Sequence, residues 1–179
     1  MLNLKLKNFC LFACLFFLSF KIYSQSIMIG DKQYKSTKSF RFEYAESYMS
    51  GPLFIKVARD KKNGFIWLET DLHNNVYHFK GKIIIYLENG LTIKCIDRGI
   101  KDSYNGKIIA VYKLTFKEMV SLCESDITTV RFSVGDKWNN MTYLAKNKYY
   151  EKKSDGWIIE KIEMFENTTS YICNLLEKE

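Results

Sequence analysis

The stretch that decides the fold runs from residue 53 to residue 80 and reads LFIKVARDKKNGFIWLETDLHNNVYHFK. Apolar and polar residues alternate through most of it, a pattern typical of strands that bury one face. Two clusters of turn-forming residues interrupt the alternation, one at 60–64 and one at 74–75. We therefore expect three strands joined by two hairpins into an antiparallel meander.

The first hairpin turn allows two registers. A longer loop over 61–64 places Val57 opposite Leu68, whereas a short loop at Asn63-Gly64 places Val57 opposite Thr70. The registers differ by an even number of residues, so both put the same side chains on the same face. The sequence predicts the faces of these strands and leaves the register open.

The second turn, Asn74-Asn75, is expected to pair the strands on either side of it. This pairing sets Thr70 opposite Phe79 on an apolar face, and Asp71 opposite His78 on a charged face. The two turns agree on which side chains face the core, which supports the meander.

Further turns predict more strands downstream. Asn89-Gly90 is the clearest hairpin signal in the chain and sets Tyr86 opposite Ile93. Asn105-Gly106 marks another turn, and a polar connector lies between these two hairpins. Alternating residues also predict strands over 127–134 and near 141–146.

Two helices complete the prediction. Thr115 and Glu118 have the spacing of a capping box, and apolar residues at helical intervals extend it to a helix at about 116–124. After Gly156 the apolar residues fit one face of a C-terminal helix: Ile158, Ile162, Phe165, Ile172 and Leu176. The expected fold class is α+β, mainly an antiparallel β-meander with both helices packed on one face.

The N-terminus has the layout of a secretory signal peptide. Lys5 and Lys7 precede an apolar run over 9–20, and Ser24 offers a small residue before a cut that leaves Gln25 first. We expect a signal peptide over 1–24, one domain over 25–179, and a secreted or periplasmic protein. Cys14 mimics the lipidation box of bacterial lipoproteins, but the apolar run continues past it, so we favour an unmodified signal residue.

Composition excludes several classes of protein. The 179-residue chain is 26% charged and 16% aromatic, which is too apolar for a disordered chain.

Loss of residues 1–24 lowers the number of basic residues from 27 by three and leaves the 20 acidic residues in place. This mild surplus forms no dense basic stripe, so we expect no nucleic-acid partner, and after signal cleavage no membrane-spanning helix.

Three cysteines remain after residue 24: Cys95, Cys123 and Cys173. An odd number without short spacings fits neither a disulfide framework nor a zinc site. Each suits a small buried apolar position. A bridge between Cys123 and Cys173 stays open, because it needs a geometry that the sequence does not reveal.

Catalytic motifs are scarce. The sequence has no glycine-rich phosphate loop, no GxSxG and no HExxH. Asp71 could orient His78 and raise its basicity, and with His73 the pair could hold a metal ion. A solvated charge pair beside a turn explains the same residues, and we favour it, so we expect neither a metal ion nor a cofactor.

Candidate binding residues lie in the polar connector and among the tryptophans. Asp97, Arg98 and Asp102 occupy the connector, where turn formation explains them equally well. Trp67 falls on the charged strand face and could help to stack a sugar, as could Trp138 and Trp157, although packing is the commoner use of tryptophan. The partner would be an unidentified protein or glycan of the cell envelope or outside the cell.

The order of elements between about residues 80 and 147 supports a resemblance. A strand, Asn89-Gly90, a strand, a polar loop, the segment 112–115, a short helix and the segment 129–132 resemble small secreted domains of unknown function from Gram-negative bacteria. That resemblance implies an exported, sheet-rich fold and supplies no catalytic residue.

Three functions follow, in order of preference. The first is an exported, non-catalytic binding or envelope-associated domain. The second is a hydrolase or metal-dependent enzyme that uses Asp71 and His78. The third is a secreted inhibitor or structural partner that presents an exposed sheet edge.

Overall fold

The computed structural model describes residues 25–44, 51–61, 63–71, 76–154 and 159–177. The predicted signal peptide, His73 and Trp157 lie outside these residues. The strands are β1 (Ser26–Ile29), β2 (Lys32–Lys35), β3 (Phe40–Tyr44), β4 (Leu53–Asp60), β5 (Asn63–Asp71), β6 (His78–Leu87), β7 (Thr92–Cys95), β8 (Ile100–Tyr104), β9 (Lys107–Leu114), β10 (Ile127–Gly135), β11 (Asn140–Lys146), β12 (Tyr149–Ser154) and β13 (Ile159–Met164). The helices are α1 (Phe116–Glu124) and α2 (Thr168–Glu177).

The described strands form one large antiparallel sheet and two small ones. The large sheet has nine strands in the order β7-β6-β10-β11-β3-β4-β5-β9-β8. β1 pairs with β2, and β12 pairs with β13. The antiparallel α+β class is confirmed, but the sheet is not a simple meander, because β6 and β7 lie at the opposite end of the strand order from β8 and β9.

The predicted hairpin across Asn74-Asn75 is wrong. β5 pairs with β4 and β9, while β6 pairs with β7 and β10. Asp71 therefore lies opposite Lys107, and His78 lies opposite Gly135. Alternation of apolar residues predicts which face a strand buries but not which strand lies beside it. The prediction that Phe79 faces the core is therefore confirmed, whereas the predicted partner strand is wrong.

The β4–β5 hairpin forms in a third register. Val57 pairs with Ile66 and Asp60 pairs with Asn63, which leaves two residues for the turn. This register differs from both predicted ones by an even number of residues, so the predicted faces are confirmed. Gly64 lies inside β5, where a Cβ atom would meet Met119 of α1 and come within 2.9 Å of the Ala58 carbonyl oxygen.

The Asn89-Gly90 hairpin forms with a loop one residue longer than predicted. Gly90 has a φ of +84°, which suits the last position of a three-residue loop. Ile93 consequently pairs with Ile85 rather than with Tyr86. Because the register shifts by one residue, Ile93 lies on the face of the sheet that packs against the core, in agreement with its burial.

The polar connector is shorter than predicted. Residues 100–104 form β8, which pairs with β9 through the two-residue turn at Asn105-Gly106. All five residues of β8 are exposed, so no burial pattern in the sequence marks this strand.

The large sheet curls around one core. β6 and β7, near one end of the strand order, contact β8 and β9 at the other end. Side chains from strands all along the order fill the space inside the curl, among them Phe42, Ile55, Leu68, Ile85, Tyr112 and Phe132. Both helices contribute to the same core through Met119, Leu122, Ile172 and Leu175. On the outer face, β1 and β2 cover part of β4, β5 and β9 with a second, smaller cluster.

The boundaries of α1 agree with the prediction. The Thr115 hydroxyl accepts from the backbone N–H of Glu118 at 3.3 Å, and the Thr115 N–H donates to the Glu118 carboxylate at 2.7 Å. This reciprocal pair is the capping box expected from the sequence.

The C-terminal helix is shorter than predicted. Residues 159–164 form β13 and pair with β12, and Phe165 precedes the helix, so Ile162 and Phe165 do not belong to it. Ile158 lies outside the described residues. α2 begins at Thr168, where the Asp126 carboxylate accepts from the Thr169 backbone N–H at 2.7 Å. The pair Thr168-Thr169 lies at the helix N-terminus, where hydroxyl side chains are favoured.

A disulfide joins α1 to α2. Cys123 and Cys173 are bonded, with their Cα atoms 4.7 Å apart, which resolves the pairing left open by the sequence. Cys95 is free and buried, and burial raises the pKa of its thiol to about 12. The bridge closes a loop of 50 residues and ties the two helices together at the core.

Removal of this disulfide should destabilise the fold. We expect the Cys123→Ala/Cys173→Ala variant to lose about 2–4 kcal/mol of unfolding free energy, because the unfolded chain regains the freedom of a long loop. Urea unfolding followed by circular dichroism measures the loss. Wild-type protein held in excess reductant should match the variant, and an unchanged midpoint for both would contradict the bridge.

Candidate functional site

The two ends of the curled sheet meet at Gly81 of β6. The hydroxyl of Tyr112 on β9 donates to the Gly81 carbonyl oxygen at 3.2 Å. Tyr112 is only 1% exposed, and burial raises the pKa of its hydroxyl above the usual range, so the group stays a neutral donor. We call this junction the seam.

Asp97, in the connector from β7 to β8, holds the same junction. Its carboxylate accepts from the Gly99 N–H at 2.8 Å and forms an ion pair of 2.7 Å with Lys101. Partial burial by itself raises the pKa of Asp97, but hydrogen bonds from Lys101 and from the N–H groups of Gly99 and Gly81 outweigh it, so the pKa lies below its usual value. Asp97, predicted as a ligand contact, therefore fastens the connector to β6.

A cleft opens beside the seam. It has a volume of about 500 Å³ and lies between the start of β6, the strand β8 and the end of β10. We call it the seam cleft, and its polar lining consists of His78, Lys80, Lys101, Asp102, Ser103, Asp136 and Lys137. Because the walls of the seam cleft come from three separate parts of the chain, no single sequence motif predicts the cleft.

Two unpaired strand edges face the seam cleft. β7 pairs with β6 only from Ile83 onward, so residues 78–82 have no neighbour on that side among the described strands. β8 pairs only with β9 among these strands. In a two-residue hairpin the residues flanking the turn form a hydrogen-bonded pair, so the backbone groups of Lys101 and Ser103 point away from β9. The Ser103 N–H accordingly donates to the Asp102 carboxylate at 2.7 Å instead of joining the ladder.

An exposed tryptophan directly follows Lys137, the last residue that lines the seam cleft. Trp138, at the tip of the β10–β11 hairpin, is 82% exposed, and the Lys137 ammonium lies 5.0 Å from the centre of its ring. Asp136 fixes this tip, since its carboxylate accepts from the N–H groups of Trp138 and Asn139, both at 2.7 Å. Hydrogen bonds from Asn139 and Trp138 hold the pKa of Asp136 below its usual value.

Lys80 lies between the cleft and the hairpin. Its ammonium donates to the carbonyl oxygen of Asp136, which anchors the side chain at the cleft wall. Three lysines and two aspartates therefore line the cleft, and both aspartates already accept hydrogen bonds from backbone N–H groups.

The sequence-predicted candidates separate in the structure. His78 and Asp102 line the seam cleft, while Arg98 is exposed in the connector and does not line it. Trp67 is partly buried and packs against the smaller core cluster beneath β1 and β2. Asp71 lies in β5 beside β9, so the predicted cross-strand pair of Asp71 with His78 does not form.

The described residues contain no group of three histidine, cysteine or acidic side chains that could hold a metal ion. His73, the third residue of the predicted metal set, lies outside them.

Comparison of the chain with protein-family models, with curated proteins and with solved structures gives no match in any of the three. Within the described residues, no helix is long and apolar enough to cross a membrane.

Replacement of Asp97 should weaken the seam in a pH-dependent way. Because the folded-state pKa lies below the ordinary 3.8, the carboxylate stabilises the fold above about pH 5, and the effect disappears as the pH falls through the folded-state value. We expect Asp97→Asn to lower the unfolding free energy by about 1–2 kcal/mol at pH 7 and to match wild type at about pH 2. Thermal unfolding across this pH range measures both effects.

Asp102→Asn is the matched control for this variant. Asp102 is exposed and, among the described residues, accepts from the adjacent Ser103 N–H alone, so its replacement should leave stability nearly unchanged. Equal losses in the two variants would show that Asp97 has no special role at the seam.

Proposed function

We propose that this chain is an exported, non-catalytic binding domain and that its ligand occupies the seam cleft. The observation that carries the proposal is the pair of unpaired strand edges that face this cleft. A segment lying between them in extended conformation would form main-chain hydrogen bonds with strand edges that pair with no other described strand on that side. The ligand we infer is an extended stretch of a partner polypeptide in the cell envelope.

The side chains around the cleft suit such a ligand. Lys80, Lys101 and Lys137 outnumber the two aspartates, which favours a polypeptide with acidic side chains. Trp138, next to the cleft-lining Lys137, is a large exposed ring, the kind of residue that anchors protein interfaces.

Export is supported by two separate features of the chain. The apolar run over 9–20 behind two lysines has the layout of a signal peptide. The disulfide between Cys123 and Cys173 suits an oxidising compartment, since cytosolic proteins rarely retain such bonds. The resemblance to small secreted domains of Gram-negative bacteria points the same way.

Export is tested with a C-terminally tagged full-length chain in a Gram-negative host. We expect the protein in the periplasm or medium, with Gln25 as the first residue by N-terminal sequencing. A chain that starts at Cys14 and carries lipid would place it among lipoproteins. An unprocessed chain in the cytosol would contradict export.

Ligand binding is tested by proline substitution at the strand edges. Ser103→Pro removes an N–H that faces the cleft and leaves the bonds from β8 to β9 in place. Capture from a native envelope extract should yield a partner that wild type retains and this variant loses, with affinity reduced about tenfold or more.

Lys94→Pro is the matched control, because Lys94 also has its N–H on a free sheet edge, at β7 and outside the cleft lining. This variant should keep the captured partner, and circular dichroism should show that both variants fold. A partner lost equally from both variants, or from neither, would contradict binding at the seam cleft.

A further inference from the structure

β6 contains a bulge next to the seam that changes the outer face of the sheet. Arg131 of β10 pairs with Ile84, but Ser133 pairs with Lys80, so β6 has three residues where β10 has one. Gly81 lies in this bulge with a φ of +62°, a conformation that glycine adopts without strain. A regular ladder would place Lys82 opposite Ser133 and move Lys80 on to Gly135.

The bulge therefore brings two lysines to the place where a regular strand would bring one. Lys80 and Lys82 line a pocket of about 310 Å³ together with Arg131. Ser133 and Asn140 add a hydroxyl and an amide to the same pocket. We call this the bulge pocket. It lies on the outer face of the sheet, whereas the seam cleft opens between strand edges, and only Lys80 lines both.

The charge around the bulge pocket has one sign. The strands β6, β7, β10 and β11 contain no aspartate or glutamate. Among the described residues, no carboxylate forms an ion pair with Lys82 or Arg131. The nearby Asp136 does not line the pocket, and its carboxylate accepts from the hairpin tip. Lys82 and Arg131 therefore remain available to an anion from solution.

The donors suit a compact anion with several oxygen atoms. The guanidinium of Arg131 can donate two parallel hydrogen bonds to such an anion, and lysine ammonium groups add point charges. Bulges are often found where a strand must redirect side chains beside a binding site. We propose that the bulge pocket binds a phosphate group carried by a sugar or by a lipid headgroup.

This proposal does not depend on the ligand of the seam cleft. Loss of the polypeptide ligand from Ser103→Pro would leave the bulge pocket intact, because Ser103 does not line it. Failure of the phosphate proposal would likewise leave binding at the strand edges untouched.

The test is calorimetric titration of the purified protein with inorganic phosphate and with glucose 1-phosphate, in a phosphate-free buffer. The pocket variant is Lys82→Gln/Arg131→Gln. The matched control is Lys94→Gln/Lys146→Gln, which removes the same charge from exposed positions of neighbouring strands that do not line the pocket. We expect about tenfold weaker binding in the pocket variant and less than about threefold in the control.

A second arm separates the two sources of the phosphate group. Sedimentation with vesicles of phosphatidylcholine and phosphatidic acid, against phosphatidylcholine alone, measures headgroup binding. Binding of either probe that depends on Lys82 and Arg131 supports the pocket, and the probe that binds identifies the sugar or the lipid headgroup as the carrier of the phosphate group.

Two results would overturn the proposal. Equally weakened binding in the pocket variant and in the control would show diffuse attraction to a basic surface. The other result is that no probe binds at millimolar concentration.

Discussion

The contact on which the structure depends is the one at Gly81, where the two ends of the large sheet meet. A flat sheet of nine strands would leave both faces of its central strands in water, whereas a curled one surrounds a single core. The buried hydroxyl of Tyr112 binds the Gly81 carbonyl oxygen from the other end of the sheet, and the carboxylate of Asp97, in the connector from β7 to β8, accepts from the Gly81 N–H. The two helices complete the core inside the curl, and a disulfide joins them.

The same segment of β6 produces both candidate sites. The sheet ends meet at Gly81 but diverge toward His78, and this divergence leaves two strand edges unpaired around the seam cleft. On the outer face, the extra residues of the bulge place Lys82 beside Lys80 and Arg131. The bulge in β6 therefore lies at the point where the sheet closes and beside both candidate binding surfaces.

The sequence was sufficient for local structure and insufficient for strand order. The capping box at Thr115 and the buried face of Phe79 depend on neighbouring residues, and both predictions are confirmed. The pairing of Asp71 with His78 assumed that consecutive strands lie side by side, and here β9 takes the edge of β5. The seam cleft was not predictable, because its walls come from strands that approach only after the sheet curls.

The most direct test of the curled sheet is a set of nuclear Overhauser contacts in isotopically labelled protein. The strand order predicts a contact between Phe79 and Val134, and curling predicts a second one between the Tyr112 ring and Gly81. A contact between Thr70 and Phe79, with none between Tyr112 and Gly81, would instead show a meander with open ends. That result would remove the seam, the cleft beside it and the functions inferred from them.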